Sequence, residues 1–425
     1  MSSEQAPAPS KKILILTPQF PYPPHQGTTM RNFNLIAGLA RRHEVHLLAF
    51  GDPVESQGTP LDGLCHSIQV VPPPERSMAQ RLTGLLFSRL PDMAQRLPSA
   101  EFQERLAATV KREQPDIVEV EGIELAQYLF QVADGRGGAR SPLLVYDDHN
   151  AEYVLQQRAF ETDARQPKRW IPASYSFVQW KRLQGYERRA CEAADRVVAV
   201  SETDAGVLRR LVPGLEPAVV PNGVDMAFCA EAVAPLAKGA GPGEGDLVFT
   251  AKMDFRPNVD AVQWFAQGIL PLVRREAPET RFWVVGKDPH PRLAPMAEDP
   301  AIVITGWVED VRPYIAGAGV YVIPLRMGGG TRLKVLEAMA MGKAIVSTTV
   351  GSEGFDVVSD RELVMADTPS EFAAAVLALL RDPERRQRLG QVAQDFAGSG
   401  YDWPIVVPML ERVYEPRNTQ HGTGA

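Results

Sequence analysis

The chain has 425 residues, 44% hydrophobic and 23% charged, which is material for two or three packed cores and excludes both wholesale disorder and a small disulfide-stapled module. With 45 Lys and Arg against 52 Asp and Glu the formal charge is -7, so no global positive field draws in nucleic acid, and any anion site has to be local.

In chain order, MSSEQAPAPS (1–10) lacks the basic-then-apolar order of a signal peptide and reads as a loose tip. Ile13 to Leu16 form a continuous apolar run ending in a proline-rich loop, the pattern of a strand buried on both faces. From Thr28 the apolar positions Met30, Phe33, Leu35, Ile36 and Leu39 fall on one side of a helix, with Arg31, Asn34, Arg41 and Arg42 largely elsewhere. Strands are expected at 45–50, 67–71, 116–121, 142–148 and 196–201, with helical patterns at 78–90 and 102–112 and a long charged amphipathic stretch over 152–194. Ser201 and Asp204 have the spacing of a helix cap. This alternation makes 11–218 one Rossmann-like domain.

Residues 219–246, rich in Ala, Gly and Pro, read as a linker; GAGPGEG within them neither matches G-x-G-x-x-G nor follows a strand. A second alternation fills 247–397: strands at 247–250, 281–286, 301–306, 319–324 and 344–348, and helices over 258–275 and 331–341. Thr368-Pro369-Ser370-Glu371 and Asp382-Pro383-Glu384 mark helix starts. Residues 398–425 are read as a helix packing back on the first domain, and a tail. The expected class is α/β: two doubly wound Rossmann-like domains facing across a cleft that holds the ligand.

Three cysteines, Cys65, Cys191 and Cys229, have no C-x-x-C spacing, so neither a zinc site nor a disulfide framework is expected. Together with the lack of an ~18-residue apolar run, they point to a reducing, cytoplasmic setting.

The most informative segment is IPLRMGGGTRLKVLEAMAMGKAIVST (323–348): a strand end, three glycines, then a helix carrying Arg332, Lys334 and Glu337 early in its course. Gly328, Gly329 and Gly330 let backbone approach a phosphate, the helix start points N–H groups at it, and the basic side chains add charge. The plainer reading is a strand-to-helix turn that needs flexible backbone. Glu337 is placed to accept from ribose hydroxyls, or to pair with Lys334 on the helix surface.

These residues resemble the nucleotide-sugar-dependent retaining glycosyltransferases of the GT-B fold, family 4, or "glycosyl transferases group 1". The likeness runs from about Ile13 to Phe396. It rests on the first strand and its proline-rich loop with Gly27, on DDHNAEY (147–153), VVPNGVD (219–225) and GWVEDVRPYIAGAGVYVIPLR (306–326), and on the glycine block. It implies transfer of a sugar from a nucleotide diphosphate sugar with retention of configuration, no metal and no cofactor. The acceptor is a glycan or a lipid-linked sugar, in cell-envelope or exopolysaccharide assembly at the inner face of the membrane.

Carried onto this chain, the donor site comprises Gly27, Lys252, Trp307, Val308, Arg326, Gly328, Gly329, Gly330, Thr331, Arg332, Leu333, Lys334 and Glu337, with Trp307 packed at a strand end beside the base. His149, Glu121 and Lys252 are the catalytic candidates. Three departures stand out. Gly329 occupies the place of the first glutamate of the family's E-x7-E pattern. The cations that grip the donor phosphates map to Lys252 and Asn258, leaving Arg326, Arg332 or Lys334 to compensate for the asparagine. Glu121 replaces a histidine, which leaves His149 as the polar group nearest the reacting carbon, unless it merely bonds a loop backbone. Asp147 and Asp148 are read as shaping the acceptor side, and His43 and His46 as structural.

Loops 18–31 and 75–100 would meet the acceptor. The stretch 76–97 mixes Arg with Leu, Phe and Met as a peripheral membrane helix does, but Pro91 interrupts it and two ordinary helices are the preferred reading. The segment 152–194 is read as a solvated helical face. A nucleotide-sugar 2-epimerase-like enzyme and a non-catalytic nucleotide-sugar binding protein share this architecture and remain alternatives.

Overall fold

The computed structural model describes residues 9–136, 141–164, 169–234, 236–237, 239–328 and 332–416. These form two compact units, one holding the chain up to Val220 and from Val406 onward, the other Pro221–Ile405.

The first unit is built on β1 (Lys12–Thr17), β2 (Glu44–Phe50), β3 (Ser67–Val71), β4 (Ile117–Glu121), β5 (Leu143–Asp148), β6 (Arg196–Ala199) and β7 (Ala218–Val219). They make a parallel sheet ordered β3-β2-β1-β4-β5-β6-β7. The order reverses between β1 and β4, and right-handed crossovers then put the connecting helices on both faces. That is why β1 and β4 are buried along nearly their whole length. The helices are α1 (Gly27–Leu39), α2 (Met78–Phe87), α3 (Ala100–Glu113), α4 (Ala126–Asp134), α5 (Glu152–Ala164), α6 (Trp170–Ala193) and α7 (Glu202–Leu211). Phe50 stacks on Phe102 at 4.4 Å, and Tyr128 from α4 closes on Phe102 at the same distance, so α3 and α4 are pinned to the sheet through aromatic contact. Helix α4 lies in a region to which the sequence reading assigns no element.

The second unit repeats the plan with β8 (Leu247–Thr250), β9 (Phe282–Val285), β10 (Ile302–Gly306), β11 (Val320–Ile323), β12 (Ile345–Ser347) and β13 (Val364–Met365), ordered β10-β9-β8-β11-β12-β13. Its helices are α8 (Met226–Ala230), α9 (Arg256–Trp264), α10 (Leu270–Glu276), α11 (Arg312–Gly317), α12 (Leu333–Ala340), α13 (Pro369–Arg381), α14 (Pro383–Gly400) and α15 (Trp403–Val413), the last running on into the first unit. Both sheets therefore have the Rossmann strand order.

The helix expected over 258–275 is α9 and α10 joined by a π turn at Phe265–Ile269. Pro271 lies in the first turn after it and has no N–H to donate, so the ladder is relaxed where it would otherwise be broken. The cap signals hold: the backbone N–H groups of Asp204, Glu371 and Arg385 donate to the side chains of Ser201, Thr368 and Asp382 at 3.1, 3.3 and 2.8 Å. Within the expected linker, Asp225 caps α8 and Val224 forms a β-bridge with Asp402. No helix among the described residues is long and apolar enough to cross a membrane.

Candidate functional site

In the first unit a pocket of about 340 Å³ opens at the carboxyl ends of β1, β4 and β5, where the strand order reverses. Pro18 and Gln19 follow β1, Gly122 and Glu124 follow β4, and His149, Asn150 and Glu152 follow β5; Gln26, Thr28, Arg96 and Leu97 complete the wall. This is where doubly wound sheets bind ligands, because successive loops diverge there. Its lining includes parts of both loops assigned to the acceptor from sequence.

The floor is a buried network. His149 Nε2 lies 2.5 Å from Glu121 Oε2. Burial pushes Glu121 well above the carboxylate range, reinforced by the charge of Asp147, and burial also lowers His149. Both directions favour an uncharged pair in which Glu121 holds the proton and donates it toward the imidazole. Arg31 is 1% exposed, contrary to its expected place on the polar side of α1. Its Nε and a terminal nitrogen donate to Asp147 Oδ2 at 3.1 and 2.6 Å. The helix turns that cation inward because a buried carboxylate requires a partner. Glu119, two residues before Glu121 on the same strand face, accepts from the Tyr414 hydroxyl delivered by the returning C-terminal segment. Burial raises Glu119 as well. Donor atoms of Glu121, Asp147 and His149 lie within 4.8 Å of one another, as metal ligands do, but the Arg31 guanidinium already supplies positive charge to that group.

A second carboxyl set borders the pocket. Glu187, fully buried on α6, accepts the backbone N–H groups of Glu152 and Tyr153 at 2.9 and 3.0 Å and so caps α5 from outside that helix. Tyr146 donates to Asp148 at 2.9 Å. Burial lifts Glu187 to about 7 and Glu152 to about 8.

In the second unit the reversal falls between β8 and β11, whose ends lead to Lys252 and to the glycine segment. Asn258 ties the two together: its Nδ2 donates to the Lys252 carbonyl at 2.8 Å and its Oδ1 accepts from Lys334 Nζ at 2.9 Å. Lys334 also lies 4.5 Å over the Phe249 ring. Burial lowers Lys334 to about 7, helped by Arg332, and raises Glu337 to about 7 against the pull of Lys334. Gly328 has φ +119°, a conformation that favours glycine, and a Cβ there would meet the Arg332 guanidinium at 3.1 Å. A Cβ at Gly286 would lie 1.7 Å from the Ala251 carbonyl, so that glycine lets β9 end hard against the Lys252 turn.

Gly329, Gly330 and Thr331 lie outside the described residues. Leu333 opens α12 and Val308 packs on the core. Lys252 pairs with Asp254 at 2.9 Å; of the cations named to compensate for Asn258, Arg326 is held by two hydrogen bonds to Asp260 at 3.0 and 2.7 Å, whereas Lys334 reaches the asparagine itself. Trp307, expected to pack at a strand end, is 71% exposed beyond β10, because Val308 takes the inward position. Gly27 begins α1 in the first unit. The sequence reading missed Arg31, Glu119, Glu187 and Tyr414. The two acids did leave a signal, being charged residues inside otherwise apolar buried patterns.

Comparison with known proteins bears on both units. The family model "Glycosyltransferase Family 4" matches residues 26–228, and "Glycosyl transferases group 1" matches 244–382. A Klebsiella pneumoniae protein described as "Uncharacterized 44.6 kDa protein in cps region" is 21% identical over 92% of this chain and 96% of its own length. The alpha-maltose-1-phosphate synthase of Mycolicibacterium smegmatis is 28% identical over 63% of this chain and 73% of its own. Among solved structures, sucrose-phosphate synthase from Thermosynechococcus elongatus aligns with a TM-score of 0.70 at 15% identity, covering 95% of this chain and 98% of that one. Anabaena HepE in complex with UDP aligns at 0.65 with 14% identity, covering 94% and 98%. At such identities the structural likeness speaks for the fold, which is GT-B.

Proposed function

The chain is a glycosyltransferase of the GT-B fold, and on that premise we propose that it moves a sugar from a nucleotide diphosphate sugar to a glycan or lipid-linked acceptor with retention of configuration. The observation that carries this reading is the end of the second sheet, where Asn258 donates to the Lys252 carbonyl and accepts from the Lys334 ammonium, with Glu337 on the same helix as Lys334. As the donor bond breaks, negative charge grows on the departing diphosphate; N–H groups at the start of α12 and the nearby ammonium groups stabilise that state more than the ground state. Glu337, when ionised, accepts from the ribose hydroxyls. The complex of the similarly folded Anabaena protein with UDP supports a nucleotide-sugar donor.

The pocket of the first unit takes the acceptor. Amides from Gln19, Gln26 and Asn150 with carboxyls from Glu124 and Glu152 suit a polyhydroxylated ligand. His149, uncharged and accepting from Glu121 at Nε2, carries its own hydrogen on Nδ1 and donates it toward an acceptor hydroxyl, which it orients. The reaction uses neither metal nor cofactor, and the product belongs to polysaccharide assembly, as the names of the Klebsiella and Mycolicibacterium relatives suggest.

The test is a panel of UDP-, GDP-, ADP- and dTDP-sugars with glycan acceptors, reading thermal stabilisation, released nucleotide and product anomer by NMR, with and without EDTA. Retained configuration, undiminished by EDTA, is expected. Inversion, loss of turnover in EDTA, or nucleotide release coupled to an altered free sugar with no acceptor would overturn it.

A further inference from the structure

Helix α6 is inside-out over its first half. At about 100° per residue, Trp170, Ile171, Tyr175 and Val178 share one face, and Ala173, Ser176 and Gln179 the opposite one. The small and polar set is buried, whereas Trp170 and Ile171 are 68% and 63% exposed and Tyr175 and Val178 also face out. The face expected to be solvated is so, but over this stretch it is apolar. In the segment before it, Phe87 at the end of α2 is 84% exposed and Leu90 45%. The segment is tied to α6 where the Asp92 N–H donates to Gln179 Oε1 at 2.8 Å. Apolar groups gathered in this way mark a surface that something else covers.

The charges say what kind of surface covers it. Helix α6 has four basic residues, Lys181, Arg182, Arg188 and Arg189, against two acids, Glu187, which is buried, and Glu192 near its end. Lys181 and Arg182 continue the apolar face one turn on, giving aromatic and aliphatic groups followed by cations along one helix side. In a chain of net charge -7 this is a local reversal of sign. Apolar side chains beside a basic band match the layering of an anionic bilayer, with headgroups meeting the cations and the acyl boundary meeting the rings.

We propose that this face of α6 docks on an anionic phospholipid membrane. The docking stands independently of which sugar is transferred. Arg96, which lines the pocket of this unit, lies near enough to Tyr175 on this face to act on it electrostatically, so a membrane at this face brings a bilayer surface toward the pocket.

Full-length protein is sedimented with vesicles of phosphatidylcholine alone and of equal parts phosphatidylcholine and phosphatidylglycerol. Binding about tenfold or more tighter to the anionic vesicles, weakened by salt, is expected. The double substitution Trp170→Ala with Ile171→Asp touches only exposed groups; it should leave the melting temperature unchanged and lower vesicle binding at least about tenfold. Lys181→Glu should weaken binding to the anionic vesicles only. The proposal is overturned if wild-type protein ignores both vesicles, or if the double variant binds as wild type does. It is equally overturned if sedimentation velocity shows a dimer that the double variant abolishes, because a second copy then covers the face.

Discussion

The ammonium of Lys334 donates to the side-chain carbonyl of Asn258 at 2.9 Å, across 76 residues of sequence. A position where the sequence resemblance implies a phosphate-gripping cation thus carries an uncharged side chain that holds a cation from another helix. Removing one charged hydrogen-bonding partner costs about 1.5 to 3 kcal/mol, or about 10- to 150-fold in affinity. Lys334→Ala should therefore weaken binding of the preferred nucleoside diphosphate by that factor in calorimetric titration, and Asn258→Ala by less. Equal affinity in Lys334→Ala and wild type would remove this lysine from the donor site. Glu337→Ala and Lys252→Ala should each lower kcat/KM at least about tenfold with the fold intact by circular dichroism.

Because burial lowers Lys334 to about 7, an incoming diphosphate must find it protonated or bind with proton uptake. Affinity should then fall as pH rises through 7 toward 8.5, by at most about tenfold per pH unit for one proton. Lys334→Ala should flatten the slope. A wild-type affinity that rises over this interval would mean that ionisation of Glu337, raised to about 7, governs binding instead.

On the proposed assignment, His149, which lines the pocket of the first unit, and its partner Glu121 serve the acceptor and not the nucleotide. Glu121→Gln and His149→Ala should reduce kcat while leaving the Kd for the free nucleotide within about twofold, a split that ordinary unfolding would not produce. If nucleotide affinity drops in step with turnover, the pair is structural.

Stability should fall with rising pH. Glu187 stays protonated in the fold up to about 7 but ionises near 4.5 when unfolded, so its contribution is complete below 4.5 and is lost as pH rises through 7. The loss is at most on the order of 3 kcal/mol, since each tenfold difference in proton affinity between the folded and unfolded chain is worth about 1.4 kcal/mol. Urea midpoints of the full chain should decline from pH 5 to pH 8, and Glu187→Gln, whose one carbonyl oxygen keeps one of the two bonds to the start of α5, should start lower but decline less. An unchanged slope would reassign the effect.

Tyr414→Phe should destabilise the chain by about 1 to 3 kcal/mol, since it leaves Glu119 without the hydroxyl that donates to it. Chemical denaturation measures this, and a loss below about 0.3 kcal/mol would show that the carboxyl finds another partner.

The alternation of strands and helices, the two Rossmann-like halves, the caps at Ser201, Thr368 and Asp382, and the glycine segment before α12 were all legible from residue order. Each is a property of near neighbours: a run of apolar residues, a 3.6-residue period, or a side chain three positions from the N–H it binds. Arg31, Glu119, Glu187, the Lys334–Asn258 contact and the outward face of α6 were not. A buried charge is set by the partner that reaches it, and those partners lie 116 residues away for Arg31 and 295 for Glu119. They are brought near by strand order and chain return, which no local pattern encodes. Which side of α6 points outward likewise depends on what packs against it, so a helix with apolar residues on one face and small polar ones on the other is resolved only when the rest of the unit chooses the side it covers.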